Sequence, residues 1–351
     1  MSLLFEPYRL RELTVPNRAW LAPMCQYSAV DGVVGDWHLA HLGARAVGGF
    51  GLLVAEATAV VPQGRISPQD AGLWSEDHVP PWRRVTDLVH AQGAAVGVQL
   101  AHAGRKASTY RPWSPVHGTV PASDGGWATL GPTSEPFPGY DAPDAMTSRQ
   151  VADVPEQFAA AARRAHAAGF DVVEVHAAHG YLLHQFLSPL TNRRTDAYGG
   201  TPENRARLLA ETVTAVRDAW PDGKPLLVRV SATDWTEGGL EPDDVAAALK
   251  GLDVDLVDVS TGGLLPAPVP AAPGYQVPHA RRVRDVSGLP AGAVGLITSA
   301  EQAETILRDG AADAVLVGRA ALRDPHWPLR AAHELGADVA WAKQYERGAW
   351  R

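Results

Sequence analysis

Cysteine occurs once in 351 residues, at Cys25, and lysine only four times. A single thiol rules out an intramolecular disulfide and any multi-cysteine zinc or iron–sulfur centre. No apolar run reaches the roughly 18 residues that a membrane helix needs. The opening MSLLFEPYRLRELTVPNR carries Glu6 and Glu12 and has no long apolar core, so it does not read as a secretory signal. A cytoplasmic protein that does not enter membranes is expected. Basic stripes are also missing; a formal charge of −8 argues against a nucleic-acid surface. No G-x-G-x-x-G follows the first strand-like run, which weighs against a doubly wound dinucleotide-binding sheet. There is no fixed-period repeat and no low-complexity tract.

What is present is alternation. Hydrophobic residues make up 46% of the chain, enough for a large core. Strand-like runs fall at 19–24, 51–60, 94–101, 171–176, 225–231, 254–260, 291–297 and 314–318, with amphipathic segments between them. Leu209, Val213, Val216 and Trp220 mark one helical face; Val85, Leu88 and Val89 mark another. Plausible helix starts are Pro202-Glu203, Glu241-Pro242-Asp243-Asp244 and Thr298-Ser299-Ala300-Glu301. Eight strands alternating with helices predict an α/β chain folded as a (β/α)8 TIM barrel, one domain over 1–351. Residues 103–146, rich in Pro, Gly, Ser and Trp, break the rhythm after the third strand and read as an extended capping loop over the mouth.

Chemistry collects where strands should end. Val172–Tyr181 reads VVEVHAAHGY, an apolar strand running out into two histidines and a Gly-Tyr turn. The C-terminal end of a barrel strand is where reacting groups sit, so His176, His179 and Tyr181 can meet one ligand. Two imidazoles and a phenol suit a reaction that polarises a carbonyl and then delivers a proton. Cys25, at the exit of the first strand beside Tyr27, reads equally as a packed small hydrophobe or as a group facing a ligand. Gln99 and Arg229 are polar residues inside apolar strands, and the arginine demands negative charge nearby. Gly295, then Gly318 with Arg319, end the last two strand-like runs, where barrels bind phosphate. His38 and His41 sit at helical spacing and read as ordinary helix residues.

These residues fall within longer strings: APMCQYS, EATAV-x-PQGRIS, VQLAHAGRK, HAAHGYLLHQFLSPLTNRRTDAYGG, VRVSATDW and VGRAALRDP. In that order they resemble the Old Yellow Enzyme family of flavin-dependent ene-reductases, in its bacterial thermophilic-like or xenobiotic-reductase-like NADPH dehydrogenase branch. The resemblance covers essentially the whole chain and implies non-covalent FMN reduced by NADPH. It implies that Ala22, Pro23, Met24 and Cys25 line the flavin, with Ala57 and Gln99 at its ring and Arg229 near N1. Gly295, Gly318 and Arg319 would hold the phosphate. His176 and His179 would bind the oxygen of an activated alkene, Tyr27 would add a contact, and Tyr181 would donate the proton. Cys25 would tune the flavin, and Arg347 would reach a neighbour's site in a dimer or tetramer. No metal is expected. The competing readings are a Schiff-base aldolase using Lys106 and a non-catalytic flavin carrier.

Overall fold

The computed structural model describes residues 2–350. Eight parallel strands close into a barrel: β1 (Ala19–Leu21), β2 (Leu52–Ala59), β3 (Ala95–Ala101), β4 (Val172–Ala177), β5 (Leu226–Ser231), β6 (Leu256–Ser260), β7 (Ala291–Ala293) and β8 (Ala314–Val317). Each lies beside its successor in sequence, and β8 returns to β1. Parallel neighbours require crossovers, which here are helices on the outside. They are α1 (Asp36–Val47), α2 (Val79–Ala91), α3 (Ser148–Ala167), α4 (Pro202–Ala219), α5 (Pro242–Leu249), α6 (Val277–Ser287) and α7 (Ala300–Arg308), and α8 (Trp327–Glu334) follows the last strand. The (β/α)8 barrel is therefore as the sequence pattern implied.

The helix starts fall where the capping residues put them. Thr201 Oγ1 accepts from Asn204 N before α4, and Ser299 Oγ accepts from Gln302 N before α7. The stripe Leu209, Val213 and Val216 is buried, with Trp220 just past the helix end. Two strands are shorter than the sequence reading. β1 stops at Leu21, because Pro23 has no N–H to give to a ladder. β7 stops at Ala293; Gly295 (φ 113°) and Leu296 (φ 51°) turn the chain away. Gly295 thus lies in the loop after the strand and does not end it.

Period-two alternation sorts the barrel's side chains by height. Trp20, Leu52, Val54, Ala95, Val172, Leu227, Leu256 and Leu316 pack as one cluster, with Leu10 and Val15 from an N-terminal hairpin (Tyr8–Leu10 against Leu13–Val15). That apolar plug fills one end of the barrel. In β2 the register shifts between Ala55 and Ala57, a bulge with Glu56 as its extra residue. Glu56 consequently meets His38 of α1, while Ala57 joins a separate cluster with Cys25, Tyr27 and Tyr181.

The irregular residues 103–146 contain short turns and one two-residue strand pair, Leu130–Gly131 with Asp144–Ala145. Two arginines tie the segment down. Arg105, 1% exposed, donates to the carbonyls of Glu135, Pro136 and Leu264. Arg194 donates to those of Pro132 and Met146. Because Leu264 follows β6, the segment reaches across the mouth. Among the described residues, no helix is long and apolar enough to cross a membrane.

Candidate active site

β4 carries His176 at its penultimate position, in register with Arg229 of β5. The ring of His176 stands edge-to-face against His179 at 5.3 Å and against Tyr181 at 4.9 Å. The three residues lie on one short stretch because the chain reverses tightly. His179 (φ 57°) and Gly180 (φ 71°) are both left-handed, and a Cβ on Gly180 would sit 2.3 Å from Gly263 O. Only glycine fits there. A left-handed histidine is uncommon and is held by its surroundings. His179 N donates to Ser231 Oγ at 2.9 Å, and Lys106 Nζ donates to His179 O at 2.9 Å. Beneath the turn, Gly180 N donates to His184 Nδ1, and the other side of that buried ring meets Asp234 at 2.9 Å. Burial opposes ionisation of Asp234, but hydrogen bonds from His184, Leu240 N and Ser188 hold its carboxyl below the usual range.

Burial, reinforced by the nearby Arg229 charge, pushes the pKa values of both His176 and His179 well below that of a free imidazole. They are neutral at pH 7, and the Ala178 N–H directed at His176 Nδ1 assigns the proton of that ring to Nε2. Burial pushes the Tyr181 phenol well above its ordinary value, with Cys25 and Tyr27 adding to the rise, so it stays protonated. Burial and the neighbouring acids Asp70 and Glu56 likewise raise the Cys25 thiol, and Cys25 shares a side-chain hydrogen bond with Tyr27. The thiol form is present, not the thiolate.

One layer deeper lies a charged group the sequence reading found only in part. Arg229 Nε meets Asp258 Oδ2 at 2.9 Å, and Gln99 Nε2 donates to Glu174 Oε1 at 2.7 Å. Both carboxyls are fully buried, and among the described residues the Arg229 guanidinium is the one that forms an ion pair with either. Burial pushes Glu174 up to about 8, Asp258 adds to the rise, and Arg229 and Gln99 oppose it. Burial raises Asp258 too, against the pull of Arg229, and because the guanidinium contacts Asp258 while Glu174 has only the Gln99 amide, Glu174 is the carboxyl that favours keeping its proton. Its folded pKa lies above the unfolded value, so its contribution to stability is complete below about 4.5 and is lost as pH rises towards about 8. Glu174→Gln mimics the protonated acid at every pH. The FMN-loaded native protein and this variant should melt alike near pH 5, with the native protein falling several degrees behind by pH 8.5. A pH-independent gap in melting temperature would show that Glu174 is ionised throughout.

The remaining expected residues divide into three groups. Ala22 and Pro23 are buried at the exit of β1, Arg229 Nη1 approaches Pro23 O at 3.5 Å, and Cys25, Tyr27, Ala57 and Tyr181 share one apolar cluster. A cavity of about 190 Å³ is lined by Gln276, Gly295, Thr298, Gly318, Arg319 and Arg323, among others. Met24 adjoins it: a Cβ on Gly318 would lie 3.7 Å from Met24 Sδ. Arg319 is exposed, and its guanidinium has no hydrogen-bond or ionic partner among the described residues. An uncommitted cation beside two glycines suits a phosphate. Arg347 stands apart, exposed on the turn Glu346–Gly348, where the adjacent Tyr345 packs on His326 beside α8.

Sequence reasoning missed several residues. His38, read as an ordinary helix position, is buried and pairs with Glu56 at 3.1 Å, while Glu56 also accepts from Gln26 N. This pair braces the loop that carries Cys25. Glu174 and Asp258 were visible by the same signal as Arg229, a charge inside an apolar strand. Ser260, His184 and Asp234 carry no such signal.

The closed parallel barrel has a plugged floor, and a glycine-lined cavity with an exposed arginine lies beside its last two strands. Residues 3–338 match the model of the NADH:flavin oxidoreductase / NADH oxidase family. The chain is 48% identical to an NADPH dehydrogenase of Geobacillus thermodenitrificans over 100% of its own length and 99% of the relative's. It is 46% identical to one from Halalkalibacterium halodurans, over 99% and 98% of the two chains. Among solved structures it is similar to morphinone reductase, with a TM-score of 0.79 and 28% identity over 96% of this chain and 91% of that one. The chain belongs to the NADH:flavin oxidoreductase / NADH oxidase family, as its resemblance to Old Yellow Enzyme implied. It is an NADPH:flavin oxidoreductase, with FMN and a nicotinamide hydride donor as its cofactors.

Proposed function

We propose that the enzyme is an ene-reductase that reduces the C=C bond of α,β-unsaturated carbonyl or nitro compounds. The observation that carries this reading is the grouping of His176, His179 and Tyr181, two neutral imidazoles and a protonated phenol, with the His179 and Tyr181 rings 5.3 and 4.9 Å from that of His176. Bound FMN supplies the hydride that it takes from NADPH. Ala22, Pro23, Met24, Cys25, Ala57 and Gln99 would line its ring, Arg229 would meet the charge near N1, and Gly295, Gly318 and Arg319 would hold its phosphate. His176 and His179 donate hydrogen bonds to the substrate's carbonyl or nitro oxygen, where negative charge gathers as hydride arrives at the β-carbon. Such preplaced donors are worth roughly 3–4 kcal/mol each. Tyr181 then gives its phenolic proton to the α-carbon. Tyr27 adds a contact, and the Cys25 thiol adjusts the flavin's electronics without forming a bond. Residues 103–146 cap the mouth and exclude water within one unit spanning 1–351.

The exposed position of Arg347 supports a role towards a second copy in a homo-oligomer. The lone unpaired thiol supports a cytoplasmic setting. The aldolase reading is opposed by Lys106 itself. Its Nζ is engaged by the carbonyls of His179 and Gly263, so it has a bracing role. The carrier reading is opposed by relatives named as dehydrogenases.

Tyr181→Phe tests the proton-transfer role. Alkene reduction should slow by about a hundredfold or more, in line with the loss of a general acid, while reduction of FMN by NADPH stays within about twofold. Equal slowing of both half-reactions would remove Tyr181 as the donor.

A further inference from the structure

His179 can serve as a hydrogen-bond donor to substrate only in one of its two neutral tautomers, and the surrounding hydrogen bonds select it. Its Nε2 lies 2.8 Å from Ser260 Oγ at the end of β6, whereas Nδ1 has no hydrogen-bond partner among the described residues. If Nε2 carries the proton, it is spent on Ser260, and Nδ1 is left as a lone pair that repels a developing oxyanion. If Ser260 donates to Nε2, Nδ1–H is free for the substrate. Which way this hydrogen bond runs depends on Ser260's other neighbour, Gln276.

Gln276 Nε2 donates to Val294 O at 3.0 Å, which turns Gln276 Oε1 towards Ser260 and Thr261. That oxygen accepts from Thr261 Oγ1 at 2.7 Å, and its second lone pair is within reach of the Ser260 hydroxyl at 3.2 Å. The serine's one proton therefore has two acceptors in reach, His179 Nε2 at 2.8 Å and Gln276 Oε1 at 3.2 Å, where it would share the oxygen with Thr261; the shorter contact favours His179. The three side chains are buried, so water does not compete freely. Ser231 and Lys106 hold the His179 backbone, and with it the position from which the ring reaches Ser260.

We infer that Ser260 is a positioning residue that donates to His179 Nε2 and so presents Nδ1–H to the substrate's oxygen. His176 is held in the opposite tautomer by Ala178 N. The two rings therefore act through different nitrogens, Nε2–H of His176 and Nδ1–H of His179. This deepens the proposed function and rests on it, since it matters only if the histidines grip that oxygen.

The test uses FMN-loaded protein labelled with ¹⁵N-histidine, in which two-bond ¹H–¹⁵N spectra report which ring nitrogen carries the proton. Native protein should show His179 protonated on Nδ1. Ser260→Ala should lose that bias and weaken binding of 4-nitrophenol by about ten- to a hundredfold, the value of one hydrogen bond to a charged oxygen. FMN affinity should be retained. Ser260→Thr, which keeps the hydroxyl, should restore both the tautomer and the affinity; failure of the threonine variant to restore the tautomer would count against the inference. A native His179 protonated on Nε2, or an unchanged tautomer in Ser260→Ala, would overturn it. His179→Ala separates the two levels. If that variant binds the phenol as well as the native protein does, the reading of the site itself fails. If it loses the phenol while Ser260→Ala keeps both tautomer and affinity, only the role of Ser260 fails.

Discussion

Replacing His176 and His179 together with alanine is expected to abolish binding of phenols and to slow alkene reduction by about a thousandfold or more, while FMN remains bound. The magnitude follows from two preplaced donors, each worth roughly 3–4 kcal/mol when aimed at developing charge. Residues that act as a unit lose less together than the sum of their separate losses, so the double variant should fall short of the product of the single ones. Spectroscopic titration of the holoenzyme with a phenol reads the first effect, and single-turnover reoxidation by a cyclic enone reads the second. Both rings are already neutral, so phenol binding should show no inflection near pH 6.5. Retained phenol binding in the double variant would put the anion site elsewhere.

The second large effect is expected at Arg229. Arg229→Met keeps the length of the side chain and removes the guanidinium that pairs with buried Asp258. Breaking a buried pair in this way costs about 3–5 kcal/mol, on the order of 5 °C in melting temperature for a chain of this size. Adding Asp258→Asn removes the stranded charge and should return much of that loss, a coupling that a double-mutant cycle measures directly. FMN reduction should also slow by about ten- to a hundredfold, the value of a hydrogen bond to a charged group. If Arg229→Met melts like the native protein, Asp258 does not depend on it, and the charge assignment of the layer is wrong.

The barrel was legible because alternation and helical periodicity follow directly from which faces are buried. The strand ends were less so. Apolar character continues past Leu21 and Ala293, and only Pro23 and the left-handed pair Gly295-Leu296 stop the ladder. At the site, His176, His179 and Tyr181 could be read as a group because they are close in sequence. The Ser260–Gln276–Thr261 set could not. Hydroxyls and amides at strand ends are ordinary, and their meaning appears only once Gln276 is seen directing its oxygen at Ser260. His38 was misjudged for a related reason. Its partner Glu56 occupies a bulge, and no periodic reading of β2 would send that carboxylate outward.

The central claim is that electrons held on FMN at this mouth pass to an activated alkene. Anaerobic addition of one equivalent of NADPH to the purified yellow protein, followed by cyclohexenone, tests it most directly. The account predicts loss of the yellow absorbance on the first addition, its full return on the second, and one equivalent of cyclohexanone. Colour that bleaches with NADPH but stays bleached with the enone, with no saturated ketone formed, would contradict it.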